Sequence, residues 1–532
     1  MSAAAPASAV HAKLNKSPGK IGMLVFAIAI VVGFVYVGSQ LVSDLSGIHN
    51  ETIYPFVLLA VALFVALGFE FVNGFHDTAN AVATVIYTHS LDPHVAVVWS
   101  GVWNFIGVLT STGLVAFSII TLLPVELILQ VGSGAGFSMV FALLTAAIIW
   151  NLGTWYLGLP SSSTHTMVGS IIGVGIANQL MHAGSGTSGV DWAQAAGVGR
   201  TLLVSPVVGF VCAGLLLMLM RAFIKNRELY ESPVGEAPPP FWIRCLLILT
   251  CTGVSFSHGS NDGQKGMGLI MLILIGTVPT AYALNHAITA SQTADYVAVS
   301  RQTSDVIQKY ASGPASASAD DARAAVTAYI RTRNFTPATM FGIQRIVNDL
   351  ANEAETYHQL KSVPPKDIPN FRNNMYLVSE ALRLMKKNNT PTIAAADWVV
   401  LDNYKTHIDE VTKFIPIWVK VAVALALGLG TMIGWKRIVV TVGEKIGKQH
   451  LTYAQGAAAE ITAMLTIFGA DHLGMPVSTT HVLSSGIAGT MAANHSGLQW
   501  GTVRNLAMAW ILTLPASILL AASLFWLFNH IG

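Results

Sequence analysis

Apolar stretches about as long as a bilayer is thick recur from one end of this 532-residue chain to the other, and they leave it few ways to fold in water. They fall at 21–42, 54–72 (continuing brokenly to 88), 94–121, 136–157, 159–178, 196–224, 241–276, 413–435, 453–473, 475–494 and 503–529. A soluble domain carries about 25% charged residues; this chain carries 11%. Such a surface cannot be covered with polar groups, so lipid must be part of the solvent. A formal net charge of +2 argues against a nucleic-acid or other polyanion surface. Cys212, Cys245 and Cys251 lie in or beside apolar runs without metal-ligand spacing and read as small core residues. The basic start (Lys13, Lys16, Lys20) resembles that of a signal peptide, but the run at 21–42 is long enough to span and no small-residue cleavage pattern stands out. It reads as a retained membrane helix.

The chain repeats itself. Phe71-Val-Asn-Gly-Phe-His-Asp77 shares Phe, Gly and Asp with Phe256-Ser-His-Gly-Ser-Asn-Asp262 at an offset of 185. Gly158-Leu-Pro-Ser-Ser-Ser-Thr-His165 matches Gly474-Met-Pro-Val-Ser-Thr-Thr-His481 at an offset of 316, and the match runs on to Asn178 and Asn494. The offsets differ by 131 residues, about the length of a polar, charge-rich stretch at 281–412 that shows helical periodicity at 341–360 and 375–387. The expected organisation is a tail with an extra membrane helix (1–53), a first repeat (54–224), a loop (225–240), the start of a second repeat (241–280), an inserted helical extramembrane domain (281–412) and the rest of the second repeat (413–532).

Loop charges orient the halves. Arg221, Lys225, Arg227, Arg244, Lys436, Arg437, Lys445 and Lys448 mark cytoplasmic loops, whereas 44–53, 122–135 and 181–195 hold no Lys or Arg. Five crossings per half would invert the second half, as in secondary transporters whose sites form near mid-membrane from interrupted helices. The same count puts the insert and C-terminus outside, and one re-entrant segment would reverse that. The expected fold is an all-α, inverted-repeat membrane transporter with broken or re-entrant helices.

Asp77 and Asp262 sit at matching positions inside apolar segments. A carboxylate at that depth costs at least about 2.5 kcal/mol unless paired, hydrated or protonated. Either each caps a helix broken at Gly74 or Gly259, or each couples a cation, and the two roles are compatible. Their polar company is His76, Thr78 and Asn80 in the first half and Asn261, Gln264 and Lys265 in the second, a cluster suited to a hard cation or a proton. The second motif pair places Pro, then hydroxyls (Ser161, Ser162, Ser163, Thr164; Ser478, Thr479, Thr480), then His165 or His481 at the start of an apolar segment. Pro suits the first helical turn and Ser or Thr the N-cap, so each motif reads as a helix beginning inside the membrane. Helix N-termini bind anions, and two facing each other would surround a tetrahedral oxyanion with donors. Hydroxyl-mediated helix packing is the plainer alternative.

A protonated phosphate offers O–H donors to carboxylates; sulfate at neutral pH has none. Carrying one negative charge inward against about 100 mV costs roughly 2.3 kcal/mol, so uptake needs a proton, sodium or metal-ion partner. A Ser/His hydrolase is disfavoured: the chain has no G-x-S-x-G elbow, and a catalytic pair needs no inverted copy. Glu460 is either a packing carboxylate or a third coupling group. Trp155, Trp418 and Trp435, near span ends, read as interface anchors.

Gly74-Phe-His-Asp-Thr-Ala-Asn80, Gly259-Ser-Asn-Asp-Gly-Gln-Lys265 and the two Pro-Ser/Thr-His blocks resemble the motifs of the PiT family of inorganic phosphate transporters, and most closely its bacterial low-affinity branch, which carries a comparable insert. The resemblance covers nearly all of the membrane portion. It implies a phosphate:cation symporter of the bacterial inner membrane, proton-coupled and taking up a neutral metal–phosphate complex. It assigns cation and substrate contacts to Asp77, Thr78, Asn80, Asp262 and Gln264, and phosphate contacts to Ser161, Ser162, Ser163, Thr164, Ser478, Thr479 and Thr480. Glu460 falls where the family commonly has Glu. The family pattern has Asn before the Asp in both halves; Asn261 keeps it, but His76 replaces it. That puts a symmetric sodium site in doubt and makes His76, with an unperturbed pKa near 6.5, a candidate for proton coupling. The expected partners are phosphate, a co-transported proton or sodium (or a divalent metal bound to phosphate) and lipid, with no cofactor, structural metal, enzymatic activity or nucleic acid, and oligomeric state left open. The alternatives are sodium coupling, or a permease for another oxyanion such as sulfate.

Overall fold

The computed structural model describes residues 14–15, 19–46, 53–129, 134–182, 189–233, 235–311 and 318–531, without the side chains of Tyr54, Thr78, Ala79, Asn80, Glu126 and Ala135. Apart from one isolated bridge between Gly447 and Leu498, the regular structure described is helical. The membrane portion comprises α1 (Lys20–Leu45), α2 (Tyr54–Tyr87), α3 (Pro93–Thr110), α4 (Leu114–Ile120), α5 (Val125–Leu129), α6 (Gly134–Tyr156), α7 (Ser163–Met181), α8 (Trp192–Phe223) and α9 (Phe241–Thr277). The stretch expected as an insert holds α10 (Pro279–Tyr282), α11 (Ala290–Gln308), α12 (Ala319–Thr332), α13 (Pro337–Tyr357), α14 (Ile368–Asn388) and α15 (Ala395–Thr412). The chain ends with α16 (Ile417–Gly430), α17 (Lys436–Glu444), α18 (Tyr453–His472), α19 (Thr479–Ala493) and α20 (Trp500–Ile531).

Among the described residues six helices are long and apolar enough to cross a membrane: α1, α2, α6, α8, α9 and α20. Two bent pairs, α3 with α4 (75°) and α15 with α16 (71°), bring the number to at most eight. The stretch 94–121, expected as one span, therefore breaks near Gly113, whose φ of +89° suits a residue without Cβ. The stretch 413–435 likewise stops at Gly430 and restarts as α17. The stretches at 159–178, 453–473 and 475–494 become α7, α18 and α19, which fall outside those six and are mostly buried in protein. Their hydroxyls and carboxylates would be costly against acyl chains, so more apolar helices enclose them. Leu203, Val207 and Leu215 of α8 and Ile511 and Leu519 of α20 point outward instead, as lipid-facing residues do.

The repeat is legible in the packing, because each half exchanges partners with the other. α2 packs on α16 as α9 packs on α3; α7 packs on α20 as α19 packs on α8; α2 meets α6 as α9 meets α18. The crossings repeat in atomic detail. A Cβ on Gly430 would lie 2.2 Å from the Phe71 carbonyl oxygen, and one on Gly107 would lie 2.2 Å from that of Phe256, the repeat partner of Phe71. Gly74 and Gly259 lie equally close to the Leu427 and Asn104 carbonyls, 2.3 and 2.2 Å from an added Cβ. Small residues let membrane helices approach backbone to backbone. Gly74 and Gly259 thus serve helix crossing and break nothing: α2 and α9 run unbroken through Asp77 and Asp262.

Helices α11–α15 pack on one another around Tyr296, Val326, Ile343, Leu350, Met375 and Tyr404, and this apolar interior is continuous with that of the membrane helices. Helices α13 and α14 cover the two periodic stretches expected there. Asp191 ties this bundle to the membrane helices. It caps α8 by accepting from Gln194 N (3.0 Å) and pairs with Arg333 (2.8 Å) and Arg383 (3.4 Å). The three tryptophans expected at the interface are held by protein neighbours. Trp155 donates to the Gly434 carbonyl (2.7 Å), Trp418 to Asp44 (3.0 Å), and Trp435 is 3% exposed.

Candidate transport site

Because α2 and α9 cross the protein unbroken and touch each other, their mid-helix carboxylates meet. Asp77 and Asp262 are buried, and one ligand atom from each lies within 4.8 Å of the other and of a ring nitrogen of His258. His258 stands one turn before Asp262, its Nε2 3.5 Å from Asp262 Oδ2, and its Nδ1 is held by Asn104 Oδ1 at 2.6 Å. Lys265, one turn after, donates to Asp262 Oδ1 at 2.6 Å. His76 bridges Asp77 Oδ1 (3.0 Å) and Thr154 Oγ1 (3.1 Å).

The two hydroxyl motifs converge on these groups. Ser162 is the N-cap of α7 and Ser478 that of α19; each Oγ accepts from the backbone N–H three residues on, at 3.2 Å in both. That reciprocal N-cap geometry is what the sequence leads one to expect. Pro160 and Pro476, however, lie in the extended lead-ins and not in the first turns, which begin at Ser163 and Thr479. The hydroxyls past the caps reach the acids: Ser163 donates to Asn73 Oδ1 (2.6 Å) and to Asp77 Oδ2, and Thr480 donates to Asp77 Oδ1 at 2.7 Å. Thr164 accepts from Lys265 Nζ and donates to the Val477 carbonyl at 3.0 Å, tying one helix start to the other. The rings of His165 and His481 lie 4.5 Å apart and pack on each other, so neither is poised as a base for a serine.

Several expected residues point elsewhere. Ser161 hydrogen-bonds Thr513 (2.9 Å), away from the acids. Gln264 is consumed structurally, donating to Asp471 Oδ1 (2.5 Å) and accepting from Val115 N (2.9 Å) at the start of α4. Glu460 accepts from Thr250 at a separate buried spot between α18 and α9. Asn261 donates to the Met475 carbonyl at 3.3 Å. The expected contacts of the Thr78 and Asn80 side chains lie outside the described residues. His258 and Asn73 were missed as site residues although both stand in the duplicated motif; their equivalence at the offset of 185 was the available signal.

Among the described residues, the buried polar atoms without a hydrogen-bond partner include Asp262 Oδ2, Asn261 Oδ1, His258 Nε2 and Thr479 Oγ1, of which Asp262 Oδ2 and His258 Nε2 face each other at 3.5 Å as a loose ion pair. Unpaired buried groups are costly, and those beside the two acids are candidates to contact a bound ligand. Two carboxylates face one ammonium, leaving a negative charge for a cation to match, with helix starts and hydroxyls alongside for an anion.

Helices that enclose such a site and themselves face lipid define a multi-pass membrane transporter, not an enzyme. The chain belongs to the phosphate transporter family, whose family model matches residues 73–521. It is 43% identical over 487 residues to the low-affinity inorganic phosphate transporter PitA of Escherichia coli (strain K12), covering 88% of this chain and 96% of that protein. It is 42% identical over 494 residues to PitB of the same strain (89% and 97% covered), and 29% identical over 476 residues to a probable low-affinity inorganic phosphate transporter of Bacillus subtilis (89% and 98% covered). Among solved structures it aligns with one titled "The sodium-dependent phosphate transporter" at a TM-score of 0.47 and 19% identity, over 90% of this chain and 100% of the other.

Proposed function

We infer that this protein imports phosphate together with a cation, driven by protons, through alternating access of its two halves. The observation that carries this reading is the convergence of both helix starts on the buried Asp77–His258–Asp262 cluster. In this reading the cation binds among Asp77, Asp262 and His258, while phosphate takes over the donors of Ser163, Thr164, Thr480, Thr479 and Lys265. The same hydroxyls serve both states: they satisfy the carboxylates when the site is empty and turn to phosphate oxygens once a cation neutralises Asp77. His76 favours protons over sodium, because an imidazole hydrogen-bonded to Asp77 can share its charge, which an amide cannot. A specific observation keeps a divalent metal–phosphate complex as the second reading: His258 adds a nitrogen to two carboxylate oxygens, a donor set suited to transition ions.

Labelled phosphate uptake into proteoliposomes, with sodium and proton gradients imposed separately, tests the reading. Uptake should follow an inward proton gradient and ignore sodium; the reverse would overturn proton coupling. Competition by sulfate as strong as by unlabelled phosphate would overturn the substrate assignment.

A further inference from the structure

Seven residues before Asp77, inside the most apolar part of α2, stands a carboxylate that the duplicated motifs do not include. Glu70 is fully buried. Its Oε2 accepts from Asn73 Nδ2 at 3.4 Å, and its Oε1 has no side-chain hydrogen-bond partner and lies against the backbone of Gly266. Position 266 on α9 is glycine, and the carboxyl occupies the space a side chain there would take: a Cβ on Gly266 would lie 2.3 Å from Oε1. From α9, the charged residues Asp262 and Lys265 face it. α6 carries no charged residue, and Lys420, the one charged residue of α16, donates to the Ser111 carbonyl at 2.8 Å. His165 of α7 and His481 of α19 pack on each other. No cation pairs directly with Glu70 among the described residues.

We propose that Glu70 carries the transported proton, a proposal that rests on the proton-driven reading above. An ionised carboxylate with an oxygen that lacks a side-chain partner is costly when buried among apolar helices, and a proton on Oε1 lowers that cost by removing the charge. Ionised Glu70 would put three carboxylates against the single ammonium of Lys265; protonation restores the balance the central site has without it. The link to the site is explicit. Asn73, which donates to Glu70, accepts from Ser163, and the single hydrogen of the Ser163 hydroxyl is contested by Asp77. A cation on Asp77 releases that hydrogen towards Asn73 or phosphate, so occupancy of the site reaches Glu70 through two side chains. The proton binds Glu70 Oε1 while the site is open to one side and leaves the same oxygen after phosphate departs on the other. Unlike the aspartates, Glu70 has no repeat counterpart: the offset of 185 places Ser255 there.

The test uses reconstituted full-length protein and three readouts: phosphate–phosphate exchange at equal pH, accumulation driven by a proton gradient, and the pH midpoint of uptake. E70Q should keep exchange while losing at least tenfold of gradient-driven accumulation. E70D, and G266A, which crowds the carboxyl, should retain accumulation with a displaced pH midpoint. E70Q that accumulates phosphate like wild type overturns the proposal, as does E70Q of unchanged thermal stability that loses exchange and accumulation together. If E70Q does not reach the membrane, E70D decides, and an unmoved midpoint overturns the assignment. Failure of the wild type itself to respond to a proton gradient would refute the broader proton-driven reading and remains distinguishable from these outcomes.

Discussion

Replacing Asp77 by Asn removes one negative charge from the centre of the site while preserving its shape. In the native site Asp77 contributes an oxygen to the cluster whose ligand atoms lie within 4.8 Å of one another. A unit charge about 4 Å from a cation, at an effective dielectric of about 20, contributes roughly 4 kcal/mol. At about 1.4 kcal/mol per factor of ten, cation affinity should fall roughly 1,000-fold. Folding should suffer less, because the amide oxygen can still accept from one of the Ser163 and Thr480 hydroxyls, while the other hydroxyl can rotate to accept from the amide N–H. The repeat-related Asp262→Asn should behave differently. It leaves the buried Lys265, 2.6 Å away, without its counter-charge, and breaking a buried pair costs about 3–5 kcal/mol. Two measurements decide: the cation concentration that half-saturates labelled phosphate uptake, and thermal unfolding in detergent. D77N should need about a thousandfold more cation at nearly native stability, and D262N should lose uptake and unfold at markedly lower temperature. A D77N protein whose half-saturation stays within about tenfold of wild type would refute the placement of the cation.

Other expectations concern the scaffold. Gly430→Ala and Gly107→Ala put a Cβ against a carbonyl oxygen 2.2 Å away and should each cost about 1–3 kcal/mol, seen as a fall in unfolding temperature that Gly469→Ala, with open space around it, does not share. Asp191→Ala removes the cap of α8 and two partly exposed arginine pairs. The loss should total about 2 kcal/mol and speed proteolysis at Arg331 and Arg333; unchanged cleavage would show that these pairs do not hold the bundle. Burial, and secondarily Asp349, pushes the half-buried Glu353 carboxyl of α13 above its usual range. A raised carboxyl pKa contributes stability below the unfolded value that is lost as pH rises through the folded one. Glu353→Gln should therefore raise the unfolding temperature slightly at pH 8 and not at pH 4, and an equal rise at both would contradict the cause.

The residues that sequence reasoning singled out and the structure gathers together are those where a residue type conflicts with its surroundings. Asp77 and Asp262 stand out because charge is costly in an apolar run, and the duplicated hydroxyl blocks stand out because they recur with a helix start. Ser162 and Ser478 occupy the cap positions their chemistry favours, a local matter settled within a few residues. Where Ser161 and Gln264 point could not be read from the sequence because their direction depends on distant helices: Thr513 draws one hydroxyl aside, and Asp471 and Val115 claim the amide. His258 looked like ordinary motif company until α9 turned it towards Asp77. Glu70 went unnoticed because its significance lies in a glycine 196 residues away.

By itself, then, the chain's order of residues determined membrane residence, the duplication, the helix starts and the placing of the two acids inside apolar helices, since hydropathy, spacing and capping act over short ranges. Tertiary structure alone decided that the halves exchange partners, that α2 and α9 run straight past their glycines, and which side chains share the central pocket. A side chain's heading on a helix is set by whichever neighbour packs against that face, and here the neighbours come from the opposite half of the molecule.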